Sequence, residues 1–335
     1  MSWWKFIKLL KIRVGLQNYN MIKKVNLEFS DKEVLLPPIN YFIDLIDNDI
    51  PFHFVRANHG VWDWFHFAYE NRINELDTML KQKEYFAIAK EVVSFHTNSE
   101  FYKDREGIKF WHGNSKTIIN RLYYFIKTFC EYKNISDKVM IGLSLGVGLH
   151  DKWGIYHAEH PIQIGRKTIV DTFISNSKFN FYYSGILKHY CVMKELDLLF
   201  NKLNELDFNI IFLGPEYFSN IPNVYSINNF EHIEIPIKAA SDKFDTYIGY
   251  IKSISSNGKK TIVFHSCGHD LSFYMAYMLK DTKVFGIDIG KSFDLDLKDC
   301  VEEERRNGKY DWFNVEWIHN PYEYYGNYIN NLRNG

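Results

Sequence analysis

The sequence predicts an α/β protein with a Rossmann-like, mostly parallel sheet flanked by helices and a more helical N-terminal part. Three observations point there. Continuous apolar runs such as Thr261-Ile-Val-Phe-His265 and Val284-Phe-Gly-Ile-Asp-Ile289 suit strands covered on both faces. Amphipathic stretches of helical period lie between these runs. Strand and helix alternate most clearly from about residue 138 to 290, the signature of βαβ units.

Residues 1–20 stand apart. Lys5, Lys8 and Lys11 recur at threes among Trp3, Trp4, Phe6, Ile7, Leu9 and Leu10, with Arg13 following. That pattern predicts a basic aromatic helix, and residues 1–13 suit contact with an anionic membrane surface. An equally weighted reading packs the apolar stripe on the domain itself. Residues 21–335 are expected to form a single domain, with helical cap elements at about 60–135.

Predicted strands in chain order are Phe52–Arg56, Val139–Leu145, Ile210–Leu213, Ile233–Pro236, Ile262–His265 and Val284–Ile289. Predicted helices are Trp62–Leu80, Lys116–Tyr132, Ile186–Leu206, Ala239–Ser255 and Leu271–Leu279.

Composition excludes several classes. The chain has 335 residues and is 46% hydrophobic, enough for a large buried core. Its net charge of -1 lacks the basic excess of a general nucleic-acid binder, so no nucleic-acid partner is expected. Cys130, Cys191, Cys267 and Cys300 are scattered, with no Cys-x-x-Cys pair for structural zinc, and read as reduced thiols. No apolar run spans a bilayer, and the first residues lack a small-residue cleavage site. A cytoplasmic protein is therefore expected, peripheral at the inner membrane face where residues 1–13 bind lipid.

In open parallel sheets, ligands sit at the carboxyl ends of the strands. The segments just after each strand therefore carry the candidate chemistry. After the first comes Arg56-Ala-Asn58-His59-Gly60-Val61-Trp-Asp63. Arg56 can grip a diphosphate, and Asn58 and Gly60 permit a tight turn. His59 and Asp63, four apart, would share a helical face. After the second comes Gly142-Leu-Ser-Leu-Gly146-Val-Gly148, which has neither dinucleotide nor P-loop spacing. His150, Asp151, His157, Glu159 and His160 then cluster without a known ligand spacing and read as a polar loop.

After the fifth strand comes Ser266-Cys267-Gly268-His269-Asp270, running into a helix. Free backbone N–H groups at a helix start form a natural anion site. Cys267 beside His265 or His269 suggests a thiol nucleophile less readily than a core cysteine. After the sixth come Asp288, Asp294 and Asp296 within nine residues. Carboxylates there suit a divalent cation, or a general base on a hydroxyl.

Three stretches resemble the GT-D fold glycosyltransferases: Ile233-Glu-Ile-Pro-Ile-Lys-Ala-Ala240, Phe264-His-Ser-Cys-Gly-His-Asp270 and Gly286-Ile-Asp-Ile-Gly290. That family's early strand ends in Arg-Phe-Gly-Asp-Gly-Glu and its later one in Ala-Ile-Asp-Ile-Gly-His. Arg56, Gly60, Asp288 and Gly290 match these motifs. His59, Val61 and Lys291 depart from the family's Asp, Glu and His.

The resemblance implies transfer of a sugar from a nucleotide-sugar donor to a glycan or glycolipid acceptor, aided by a divalent metal such as Mn or Mg. It carries over Arg56, Asp288 and Asp296. On this reading Arg56, Asn58, Gly60, Ser266, Gly268 and His269 bind the donor. Asp288, Asp294, His59 and Asp63 are the metal candidates, and Asp296 and Asp288 the catalytic carboxylates. Two alternatives stand beside it. One is a non-catalytic nucleotide-sugar-binding relative. The other is a methyltransferase using S-adenosylmethionine, with Glu216 on the ribose.

Overall fold

A computed structural model of the chain describes residues 22–26, 33–57, 75–98, 115–143, 181–236 and 240–307. The strands are β1 (Lys23–Asn26), β2 (Glu33–Leu36), β3 (His53–Ala57), β4 (Val139–Leu143), β5 (Phe181–Tyr183), β6 (Asn209–Gly214), β7 (Phe230–Glu234), β8 (Thr261–His265) and β9 (Val284–Asp288). They form a nine-stranded sheet in the order β1-β2-β5-β4-β3-β9-β8-β6-β7. β1 runs antiparallel to β2, and the other neighbouring pairs are parallel. The α/β class and the mostly parallel sheet are as the sequence predicts.

The apolar runs explain the centre of the sheet. All residues of β3, β4, β8 and β9 are buried, as strands covered on both faces must be. β7 starts earlier than predicted and is half-buried up to its exposed last residue, as an edge strand carrying Glu231, His232 and Glu234 can be. β1, β2 and β5 were not anticipated. Each has only three or four residues, too few for a period to declare itself.

The helices are α1 (Ile39–Asp47), α2 (Tyr85–Asn98), α3 (Ser115–Cys130), α4 (Ile186–Val192), α5 (Leu196–Glu205), α6 (Phe244–Ser256), α7 (His269–Leu279) and α8 (Lys298–Arg306). Residues 75–81 and the single turn Tyr132–Ile135 are also helical, while the rest of the predicted Trp62–Leu80 helix and all of residues 1–20 lie outside the described residues. The predicted helix Ile186–Leu206 is two helices. Lys194 has a φ of 58° between them, a left-handed conformation that ends α4 without the glycine that would have announced it. Residues 240–243 form a 3-10 turn before α6, where one helix from Ala239 was expected.

α2 and α3 belong to the crossover from β3 to β4. Ile88, Val92, Ile118, Leu122 and Phe125 are buried in the main core.

Two cores form, on opposite faces of β6 and β8. Phe212 and Phe264 meet Phe200 of α5 and Phe293, with ring centroids 4.9 Å apart for Phe212–Phe264 and 5.5 Å for Phe200–Phe264. Ile211 and Val263, one residue earlier and so on the other face, pack with Phe244 and Ile248 of α6 and Leu271 and Met275 of α7.

Truncating Phe264 empties the first core. Phe264→Ala is expected to cost about 3–5 kcal/mol in urea unfolding. Leu198→Ala, at a side chain 51% exposed, should change stability by no more than about 0.5 kcal/mol.

Candidate functional site

The order β4-β3-β9-β8 makes a topological switch. The chain leaves β3 toward β4 on one side, and β9 arrives from β8 on the other. Carboxyl-end loops diverge at such a point and leave a crevice for ligand. Arg56 is the fourth of five residues in β3, Asp288 ends β9, and Ser266 and Gly268 follow β8. Three adjacent strands thus bring Arg56, Asp288 and Gly268 to one rim.

Arg56 and Asp288 form a buried ion pair. Nε and Nη2 of Arg56 both donate to Asp288 Oδ1, at 3.0 and 2.8 Å, and the Arg56 backbone N–H reaches Oδ2 at 3.4 Å. The Gly290 N–H adds a fourth bond to Oδ1 at 3.1 Å. Gly290 has a φ of 46°, and a Cβ there would stand 1.7 Å from Arg56 Nη2. Asp288 holds that guanidinium in place, so only glycine fits. The Asp-Ile-Gly spacing is therefore a steric requirement of the pair.

Beyond Gly290 the chain winds through a tight turn that places Asp294 in the interior with no exposed surface. Tyr217, in the 3-10 turn Glu216–Asn223 after β6, donates its hydroxyl to Asp294 Oδ1 at 2.9 Å. Oδ2 is buried and has no hydrogen-bond partner among the described residues. Burial raises the carboxyl to about 7, against the pull of Lys291, the Tyr217 hydroxyl, Lys188 and Arg56. Lys291 is lowered to about 8 by its own burial, with Lys188 adding to the fall and Asp294 opposing it. β3 and the segments after β5, β6 and β9 therefore converge on one carboxyl, with three cations in electrostatic reach.

Asp296 faces elsewhere. Its Oδ2 accepts from the Cys191 thiol at 3.0 Å and from the Tyr225 hydroxyl, and Lys194 bonds Oδ1. Three donors on a buried carboxylate make it a brace between α4, the segment before β7 and the turn after β9. Asp296, expected as a general base, has both oxygens engaged here.

At β8, Gly268 has a φ of 86° and precedes the first residue of α7. His265 is fully buried and lowered to about 4 by that burial. Cys267 Sγ lies 3.6 Å from His265 Nδ1, but an imidazole this hard to protonate does not hold a thiolate, so the pair reads as core. His53 is likewise buried and lowered to about 3. Its ring lies over Gly286, where a Cβ would come within 2.3 Å of Nδ1.

Of the other expected site residues, Asn58, His59, Gly60 and Asp63 lie outside the described residues, as do Gly146, Gly148 and the His150–His160 cluster. Ser266 follows β8 directly and donates its N–H to Leu213 O at 2.8 Å, and His269 opens α7. Glu216 is exposed at the start of its 3-10 turn. Among the described residues no three potential ligands converge as a metal site, and Asp288 is already bonded to Arg56. Sequence reasoning missed Lys188, Lys291 and Tyr217 as neighbours of Asp294. Only the departure from the family's His at 291 marked any of them.

No protein-family model and no curated protein matches the chain. Solved structures similar to it include a selenomethionine-substituted domain of unknown function (DUF1792). The TM-score is 0.42 and the identity 14%, over 81% of this chain and 81% of that one. A likeness this weak bears on neither the reaction nor the residues. Among the described residues, no helix is long and apolar enough to cross a membrane.

Asp294 and the buried histidines give opposite pH signatures. The folded state binds a proton at Asp294 more tightly than the unfolded chain, so that contribution to stability is lost as pH rises from about 4 through 7. His53 and His265 are harder to protonate when folded, so theirs is lost as pH falls below about 6.5. Asp294→Asn is expected to gain stability at pH 8 relative to pH 5, on the order of 1–4 kcal/mol, while keeping the Tyr217 bond. Urea unfolding at both pH values measures it, and an unchanged pH dependence would contradict the raised carboxyl.

Proposed function

We propose that the chain is a glycosyltransferase that moves a sugar from a nucleotide-sugar donor to a glycan or glycolipid acceptor. One observation carries this reading. Arg56 and the Asp288-Ile-Gly290 stretch, the two short motifs that resemble the GT-D enzymes, meet as one buried ion pair at the switch point of the sheet. Residues 232 positions apart form a single unit where a parallel sheet binds ligand.

The chemistry fits the charges around it. Transfer breaks the bond between the sugar's anomeric carbon and the donor diphosphate, and the acceptor hydroxyl forms the new bond and gives up its proton. Negative charge then grows on the departing diphosphate. Lys188, Lys291 and the N–H groups at the start of α7 supply the compensating positive charge. Arg56 contributes through the fixed geometry of its pair with Asp288. Asp294, whose carboxyl titrates near 7, is suited to take the acceptor's proton only once the rim opens to expose its unfilled oxygen; Asp296, expected in that role, is held by three donors.

A divalent cation remains part of the proposal only through residues 58–63, because the described carboxylates do not form a site by themselves. The basic aromatic stretch 1–13 suits a lipid-linked acceptor at an anionic surface.

Calorimetry with UDP, GDP and their sugar conjugates, with and without Mn²⁺, tests the reading. One of them is expected to bind, and Lys291→Gln to weaken that binding about 10-fold or more, the loss of a charge-assisted hydrogen bond. Binding without sugar transfer to a broad acceptor panel would favour the non-catalytic relative. No binding by any of them at millimolar concentration would end the proposal.

A further inference from the structure

A chain of buried polar contacts joins the ion pair to the start of α7. His265 lies opposite Asp288 in the parallel register of β8 and β9. His265 Nδ1 lies 3.3 Å from the Ser272 hydroxyl, which is 2.8 Å from Gly268 O. The Ser272 backbone N–H reaches the same carbonyl at 3.0 Å. Ser272 and His265 have no exposed surface, so water does not compete for these bonds.

The shortest contacts favour one arrangement over the alternative in which the Cys267 thiol, 3.6 Å from His265 Nδ1, donates there. Gly268 O is an acceptor only, so the single Ser272 hydroxyl proton goes there. The hydroxyl oxygen then accepts, and the donor is His265 Nδ1–H. His265 is therefore the Nδ1–H tautomer, and its Nε2 carries a bare lone pair, buried without a partner.

We propose that His265 and Ser272 are positioning residues, which fix the first turn of α7 relative to the Arg56–Asp288 pair so that its free N–H groups face the rim. The proposal rests on the reading of that rim as a diphosphate site. Two bonds on Gly268 O turn this carbonyl into the helix. With the glycine at a positive φ, the following N–H groups are left to face outward. A serine at this point of a helix otherwise gains nothing from bonding back to the preceding turn.

The test needs a readout that does not depend on ligand. In the free wild-type protein, amide hydrogen exchange at Ser272, whose N–H is bonded to Gly268 O, should be slow, and Ser272→Ala should speed it about 10-fold or more, with Ser272→Thr restoring protection. Nitrogen NMR of His265 should show a protonated Nδ1 in the wild type. If a nucleoside diphosphate binds, Ser272→Ala should weaken it 3- to 10-fold and Ser272→Thr should not, with little change in Tm for either. Exchange unchanged by Ser272→Ala, or a protonated Nε2, overturns the inference whatever binds. Fast exchange in Ser272→Ala, with no nucleoside diphosphate bound by the wild type, upholds the positioning role and removes the diphosphate reading alone. A Phe264→Ala control, destabilised in the core on the other face of β8, should leave the Ser272 amide in its native rank order; a matching acceleration there would mean that Ser272→Ala acts only through global stability.

Discussion

At the middle of the sheet a full positive charge and a full negative charge are held almost out of water, and the surrounding architecture follows from keeping them together. Arg56 and Asp288 are each less than a tenth exposed. Desolvating two ions costs several kcal/mol apiece, so the pair persists only where its geometry is good and the remaining lone pairs are filled. Asp288 meets that condition with four donors from Arg56 and Gly290. The strands must therefore be neighbours, β9 must end at Asp288, and the residue two beyond must lack a side chain. A pair this costly is weak grounds for stability. It is better understood as a device that sets the register of β3 against β9 and aims the loops that follow.

Charge balance carries the argument outward. Asp288 is matched by Arg56, while burial pushes the next carboxyl along, Asp294, up to about 7 in spite of Lys188 and Lys291, and no ion pair to it is formed among the described residues. Were Asp294 bonded to Lys291, both would be fully charged and inert. The burial that keeps each partly neutral leaves the rim able to exchange a proton and still present net positive charge to an anion. The same low-dielectric interior keeps His53 and His265 uncharged on the face beneath α7. Acidic and basic groups are thus held away from their ordinary values by one cause, desolvation, on both faces of the same strands.

What the sequence disclosed, and what it withheld, divides along physical lines. β8 and β9 were legible because full burial forces continuous apolar runs, and Asp288 with Gly290 because a steric requirement fixes their spacing. β7 was misplaced because an edge strand need bury only one face. The break at Lys194 was hidden because the left-handed residue there is not glycine, and nothing local distinguishes it from a helical lysine. Lys188 and Tyr217 were invisible as site residues for a different reason. Each belongs to an element that reads as ordinary on its own, and only the order of strands brings α4 and the turn after β6 to the same carboxyl.

Asp294 and Asp296 show how far spacing can mislead. They are two residues apart, identical in type, and similar in sequence to a single acidic segment of a known family. In a strand they would share a face. The chain here is a tight turn, so the two side chains diverge: one to Tyr217 and an empty lone pair, the other to Cys191, Tyr225 and Lys194. The first retains an oxygen with which to act on something, while the second has its oxygens committed to holding α4 in place. Chemical capacity in this rim is therefore decided by which acceptors folding leaves unfilled, and a carboxylate's residue type or its distance from a motif does not settle that.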